Sequence, residues 1–193
     1  VKLKIGAIGW DEEIELIRFV RSRFGKDILQ LRVDANGAFS PDDAMTRLCQ
    51  LSEYGIHSIE QPISKGQWDV MSELCRNTPL PIALDEELIG VNSLEEKCLL
   101  LDTIHPQFLV IKPTLHGGMN GTLEWVNEAR RRGIGSWMTS ALESNIGLKN
   151  VALLSARIYG DGNTFPQGLG TGLLYTDNIE VGTELRGSEI WMN

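Results

Sequence analysis

The sequence predicts an α/β fold in which a parallel sheet rolls into a barrel, and two observations carry that prediction. Short β-branched or apolar runs alternate with amphipathic stretches about a dozen residues long, the pattern of repeated strand–helix units. Ionisable residues also recur where successive predicted strands end: Asp34, Glu60, Asp85 and Lys112, separated by 26, 25 and 27 residues. A step of that length is one strand, one helix and two loops, so each step advances one strand around the barrel and returns to the same end.

The elements follow in order. Leu3 to Ile5 is the first strand. A helix from Asp11 to Phe24 places Leu16, Ile17, Val20 and Phe24 on one face, carries acids in its first turn and has Gly25 just past its end as a cap. Ile28 to Val33 reads as the next strand. Ser40 then offers an N-cap oxygen, Pro41 takes the first helical position, and Asp43 completes a capping-box-like spacing. That helix buries Ala44, Leu48 and Leu51 and stops at Gly55. Further strands are predicted at Ser58 to Glu60, Ile82 to Leu84, Phe108 to Lys112 and Ser136 to Thr139. Helical patterns lie at Trp68 to Arg76, Ser93 to Leu101, Met119 to Arg132 and Gly147 to Tyr159. The run Arg130-Arg131-Arg132-Gly133 reads as a solvated helix end that complements the helix dipole, not as a phosphate site. A glycine-rich stretch, Gly168 to Gly172, and a short β-like tail complete the chain. No low-complexity linker interrupts it, so residues 1–193 read as one domain.

Composition narrows the function. The 18 Lys and Arg against 26 Asp and Glu give a net charge of −8 and a pI near 4.9, which excludes a basic nucleic-acid surface. No apolar run reaches the roughly 18 residues of a membrane helix, and the start lacks a signal-peptide pattern, so no membrane partner and a cytoplasmic location are expected. Cys49, Cys75 and Cys98 form no metal-type pair and read as buried thiols of the core. The first residue is Val rather than Met, so the chain is expected to be a piece of something longer.

Taken singly, the strand-end acids have structural explanations. Asp34 before Ala-Asn-Gly suits an Asx turn, Glu60 before Gln-Pro ends a strand, and Asp85 suits a helix cap. Together they would repel one another unless a cation holds them, and an oxygen-only ligand set selects Mg²⁺, or Mn²⁺, over zinc or copper. A barrel mouth leaves one face of such an ion open to a substrate carboxylate. Lys2 and Lys4 lie two apart on one strand, so both side chains point into the barrel. Two close ammonium groups depress each other's pKa, and a partly neutral lysine takes a proton from carbon. A frayed, solvated terminus is the competing explanation for that pair. Lys112, entering from the opposite side, favours function.

These residues resemble the enolase superfamily, in its muconate-cycloisomerase-like branch with a Lys-x-Lys pair. The runs DANGAFS (Asp34 to Ser40), SIEQPI (Ser58 to Ile63), IALDEELIG (Ile82 to Gly90), IKPTLHGG (Ile111 to Gly118), SALES (Ser140 to Ser144) and GLGTG (Gly168 to Gly172) are similar to the branch members that form o-succinylbenzoate. The resemblance implies a modified TIM barrel with Asp34, Glu60 and Asp85 as Mg²⁺ ligands. It implies a lyase in menaquinone biosynthesis, dehydrating a small cyclohexadiene carboxylate through an enediolate. Lys4 would remove the proton α to the carboxylate and return it to the leaving hydroxyl, Lys2 would keep Lys4 reactive, and Lys112 would stabilise charge from the other face. Arg32, Asn36, Ser140 and the backbone near Gly168 and Gly170 would serve the substrate. His116 is expected to line the mouth, with His57 and His105 structural.

Members of this family carry an N-terminal capping domain and a first barrel strand ahead of the Lys-x-Lys strand, and neither is recognised here. An incomplete barrel with an open edge, prone to self-association, is therefore expected. Two other functions compete. One is an N-acylamino-acid racemase or dipeptide epimerase, using Lys4 and Lys112 on opposite faces. The other is a metal-binding barrel fragment without turnover. Nucleotide binding at Gly168 to Gly172 lacks the accompanying lysine or acidic fingerprint.

Overall fold

The computed structural model describes residues 1–160, 165–170 and 175–192. Six parallel strands form one sheet in sequence order: β1 (Lys2–Lys4), β2 (Arg32–Asp34), β3 (Ser58–Glu60), β4 (Ile82–Leu84), β5 (Phe108–Ile111) and β6 (Gly135–Met138). Helices α1 (Trp10–Arg23), α2 (Pro41–Ser52), α3 (Trp68–Asn77), α4 (Leu94–Ile104) and α5 (Gly118–Arg131) join successive strands, and α6 (Asn145–Tyr159) follows β6. Parallel neighbours require such crossovers, and the helices bury one face of the sheet. A 3-10 turn, Glu86–Leu88, follows β4, and β7 (Thr183–Arg186) pairs antiparallel with β8 (Glu189–Met192) as a separate hairpin. Among the described residues no helix is long and apolar enough to cross a membrane.

Side-chain alternation divides the strands into two surfaces. Leu3, Val33, Ile59, Ile82, Leu84, Leu109 and Ile111 meet Ile17, Leu48, Met71, Leu100 and Trp125 in the main core. The opposite parity faces inward, where Ala83, Val110 and Trp137 pack with Phe108 and Phe165. The Arg32 guanidinium of β2 stacks 4.2 Å from the Trp137 ring of β6. In a flat sheet strands four places apart lie about 19 Å from one another, so this contact requires the sheet to curl. Beyond β6, Thr139 bridges Gly168 in parallel, which gives the curl the start of a seventh position. On its other side β1 has no partner strand among the described residues.

Four expectations are corrected. The buried face of α1 is Glu13, Ile14 and Ile17, whereas Leu16 and Phe24 are about half exposed. The helix is rotated because Glu13 turns inward, its Oε1 accepting from the N–H groups of Gly6, Ala7 and Ile8. Gly25 does not cap α1: Phe24 ends it in an extended conformation. The predicted strand Ile28 to Val33 shrinks to Arg32–Asp34, because the N–H groups of Ile28 and Leu29 both turn back to Gly25 O. Of the three free thiols only Cys75 is buried; Cys49 is exposed and Cys98 intermediate.

The caps follow the sequence more closely. Ser40 Oγ accepts from the Asp43 N–H at 3.2 Å while its hydroxyl donates to Asp43 Oδ2, and Ser93 with Glu96 closes a reciprocal box on α4. Arg130 and Arg131 form the exposed, dipole-complementing last turn of α5 as expected, while Arg132, which caps it, joins Asp102 of α4 to Glu128.

Candidate active site

Asp34 and Glu60 close β2 and β3, Asp85 follows β4, and Lys112 follows β5, so all four leave the sheet at one end. All three carboxylates point inward and are almost wholly buried. One oxygen from each lies within 4.8 Å of the others, and among the described residues this is the one cluster of at least three metal-ligating groups. The oxygens around a hard divalent cation at about 2.1 Å stand about 3–4 Å apart, a spacing compatible with three groups gathered this closely.

Lysines flank the cluster on two sides. From β1, Lys2 Nζ lies 2.8 Å from Glu60 Oε2 and 3.0 Å from Asp34 Oδ2. Lys4 Nζ lies 2.6 Å from Asp34 Oδ2 and 2.6 Å from Asn36 Oδ1. From the β5 side, Lys112 Nζ lies 2.7 Å from Asp85 Oδ2. The Asx turn is also present: Asp34 Oδ1 accepts from the Asn36 N–H at 3.0 Å, with Asn36 at φ +45°. Asn36 Nδ2 donates to Glu86 Oε1.

Burial pushes the Glu60 carboxyl up to about 7; Lys2 works against this, and the charges of Asp34 and Asp85 add to it. Asp85 is also raised, by burial that Lys112 only partly offsets. Asp34 is lowered, because Lys4 and Lys2 together overcome its burial. The expected mutual depression of the lysines is not what the fold gives at Lys2. Burial would lower its pKa, but Glu60 and Asp34 outweigh burial and raise it. Buried carboxylates held above their ordinary range lack sufficient positive charge. Asp85 Oδ1, buried and without a partner, marks where it is lacking. The donor set and this orphaned oxygen fit a hard divalent ion.

Other predicted residues are dispersed. Arg32 lies one layer beneath the carboxylates, between the Trp137 and Phe165 rings, with Nη1 donating to Pro166 O. Ser140 donates to Glu143 and hands its N–H to Gly168 O. Gly168 is committed to the sheet, its N–H bonded to Met138 O; a Cβ there would stand 2.4 Å from Thr139 Oγ1. Gly170 has open space around it. Thr171 and Gly172, the end of the glycine-rich run, lie outside the described residues. His116 is buried, its Nδ1 accepting from the Lys112 N–H at 3.1 Å. His57 packs among Phe108, Trp137 and Phe165, and His105 ends α4 with φ +52°.

Three polar residues at the mouth escaped the sequence reading: Glu86, Gln61 and Glu87. Each directly follows, or lies two residues beyond, a strand-end acid in EQP or DEE. Adjacency to an already suspected acid was the available signal.

Similarity to known proteins is extensive. The family model "Enolase C-terminal domain-like" matches residues 1–167. The o-succinylbenzoate synthase of Desulfotalea psychrophila is 53% identical over 93% of this chain and 48% of its own length. An N-succinylamino acid racemase of Amycolatopsis is 36% identical over 80% of this chain and 40% of its own length. The crystal structure of MenC from Desulfotalea psychrophila superposes with a TM-score of 0.91 at 49% identity, covering 98% of this chain and 51% of that one. The chain thus spans about half the length of the relatives it matches.

Proposed function

The chain belongs to the enolase C-terminal domain-like family, and we propose that the protein carrying it is a Mg²⁺-dependent lyase that forms o-succinylbenzoate by dehydrating 2-succinyl-6-hydroxy-2,4-cyclohexadiene-1-carboxylate. The observation that carries this reading is the buried trio Asp34, Glu60 and Asp85, flanked by Lys2 and Lys4 on one side and Lys112 on the other. The same reading takes Mn²⁺ as a substitute ion and places the enzyme in the cytoplasm, in menaquinone biosynthesis.

Asp34, Glu60 and Asp85 would hold the ion. When bound, it supplies positive charge against the substrate carboxylate as negative charge develops there. Lys4 Nζ removes the proton α to that carboxylate. The resulting ammonium then gives the same proton to the departing hydroxyl, so water leaves from the face the proton left. Lys2, two residues away on the same strand, would keep Lys4 reactive. Lys112 presents a fixed ammonium to the other face of the ring. Neither part suffices alone, because general base catalysis contributes about 10²- to 10⁴-fold, too little for a proton of such weak acidity. Asn36 orients Lys4 through its 2.6 Å contact, and Arg32 supports the site from below. Ser140 and the backbone near Gly168 and Gly170 would meet the substrate carboxylates.

A racemase is the second reading, favoured by lysines on opposite sides of the trio and by the Amycolatopsis relative. The deciding experiment assays the full-length protein for Mg²⁺-dependent o-succinylbenzoate formation, with an N-succinylamino acid as control. Exchange of the α-proton of the amino acid without o-succinylbenzoate would favour the racemase. Metal binding without turnover of either substrate would leave a non-catalytic barrel.

A further inference from the structure

Gln61, the residue after Glu60, is buried and left-handed at φ +36°, immediately before Pro62. Both features are unfavourable for a long side chain: positive φ is uncommon outside glycine, and a following proline pushes a residue towards extended backbone. Such strain persists only where the surroundings hold it in place. Here every hydrogen-bonding atom of the residue is engaged. Its N–H donates to Ala83 O at 2.9 Å and its carbonyl accepts from the Gly37 N–H at 2.7 Å. Oε1 accepts from the N–H groups of Asp85 and Glu87, each at 3.3 Å. Nε2 donates to Ile63 O at 3.0 Å and to Glu87 Oε2 at 3.1 Å. Glu87 is itself fixed, accepting from the Gly66 N–H and Trp68 Nε1.

These bonds reach the loop after Asp34, the end of β3 beside Glu60, and the backbone of Asp85. A single residue thus ties together the three chain segments that carry the carboxylates: its backbone carbonyl holds the loop after Asp34, and its side chain joins the end of β3 to the backbone of Asp85. We propose that Gln61 is a positioning residue that sets the spacing of Asp34, Glu60 and Asp85 for a divalent ion, an inference that rests on the metal reading above. A clamp joining all three segments limits how far each carboxylate can drift from the spacing an ion requires. Outer-layer partners of metal ligands act in this way.

The test titrates Mn²⁺ into the full-length protein, following free Mn²⁺ by electron paramagnetic resonance. Gln61→Met keeps the volume and removes the amide; it should weaken the Mn²⁺ Kd about 10- to 100-fold. Trp68→Phe breaks one bond of the same network away from the ligand-bearing backbone, and should lower the melting temperature while leaving the Kd in place. If Gln61→Met does not accumulate folded, Gln61→Asn, which withdraws the amide by one methylene, should show the same loss. An unchanged Kd in the Gln61 variant, or equal Kd losses in the Gln61 and Trp68 variants, overturns the inference. A parent protein that takes up no Mn²⁺ overturns the metal reading itself, and the positioning role with it.

Discussion

The Lys112 ammonium lies 2.7 Å from one oxygen of Asp85, while the other oxygen of that carboxylate is buried with no partner. Asp85 is therefore paired through one oxygen and left with a second that has no partner in the fold. Removing Lys112 strands a buried charge, which costs about 3 kcal/mol when one member of a buried pair is lost. Lys112→Met should melt lower than the parent without metal. Mg²⁺ should then raise its melting temperature by more than it raises the parent's. Equal Mg²⁺ shifts in thermal denaturation would show that no ion compensates at Asp85.

The lysine base and the metal ligands should separate kinetically. Lys4→Ala should lose about 10²- to 10⁴-fold in kcat, the range for a general acid–base group, with little change in KM. Glu60→Gln should lose Mg²⁺-dependent turnover and Mg²⁺ affinity together. Steady-state kinetics with a metal titration distinguish these outcomes. Near-normal turnover in Lys4→Ala would remove its assigned role.

Acid should weaken the fold through His116. Burial, with Lys112 and Lys97 adding to it, pushes this imidazole down to about 4, against 6.5 when unfolded. A base with a lowered folded pKa is neutral in the native state while the unfolded chain takes up the proton. Its contribution is complete above pH 6.5 and lost as pH falls from 6.5 towards 4, by on the order of 3 kcal/mol. Urea midpoints measured across this window should fall with pH, and His116→Asn should flatten the slope.

Thiol chemistry should rank the cysteines by position. Burial holds the Cys75 thiol at about 12, and Cys49 is exposed. A thiol-specific reagent at pH 8 should modify Cys49 within the native state and Cys75 only after denaturant is added, as peptide mass spectrometry would show.

Gly37→Ala should destabilise. Gly37 has φ +77°, and a Cβ there would lie 3.0 Å from the Ser64 Cα. The backbone conformation alone costs about 1–2 kcal/mol, and the contact adds to it. A lower denaturation midpoint checks this.

Much of the site could be read from residue spacing because a repeating strand–helix unit returns each strand end to one mouth. Asp34, Glu60, Asp85 and Lys112 meet there, and β3 and β4 have their predicted bounds. Elements decided by a single tertiary interaction were harder. The orientation of α1 depends on Glu13 capping the loop after β1, and an acidic residue on an amphipathic helix reads as solvent-facing until that loop is seen. The apolar residues at Ile28 and Leu29 read as strand, but a backbone turn onto Gly25 takes their N–H groups. Gln61 carries no periodic signal, and its role emerges only when β3 and β4 lie side by side.

Arg32, clasped between Trp137 and Phe165 and tied to Pro166, plugs the lower end of the curled sheet beneath the carboxylates. With Ala83 and Val110 wholly buried around it, the described interior has a floor beneath the carboxylates. Under the proposed function, substrate would arrive and product would leave on the strand-end side of that floor.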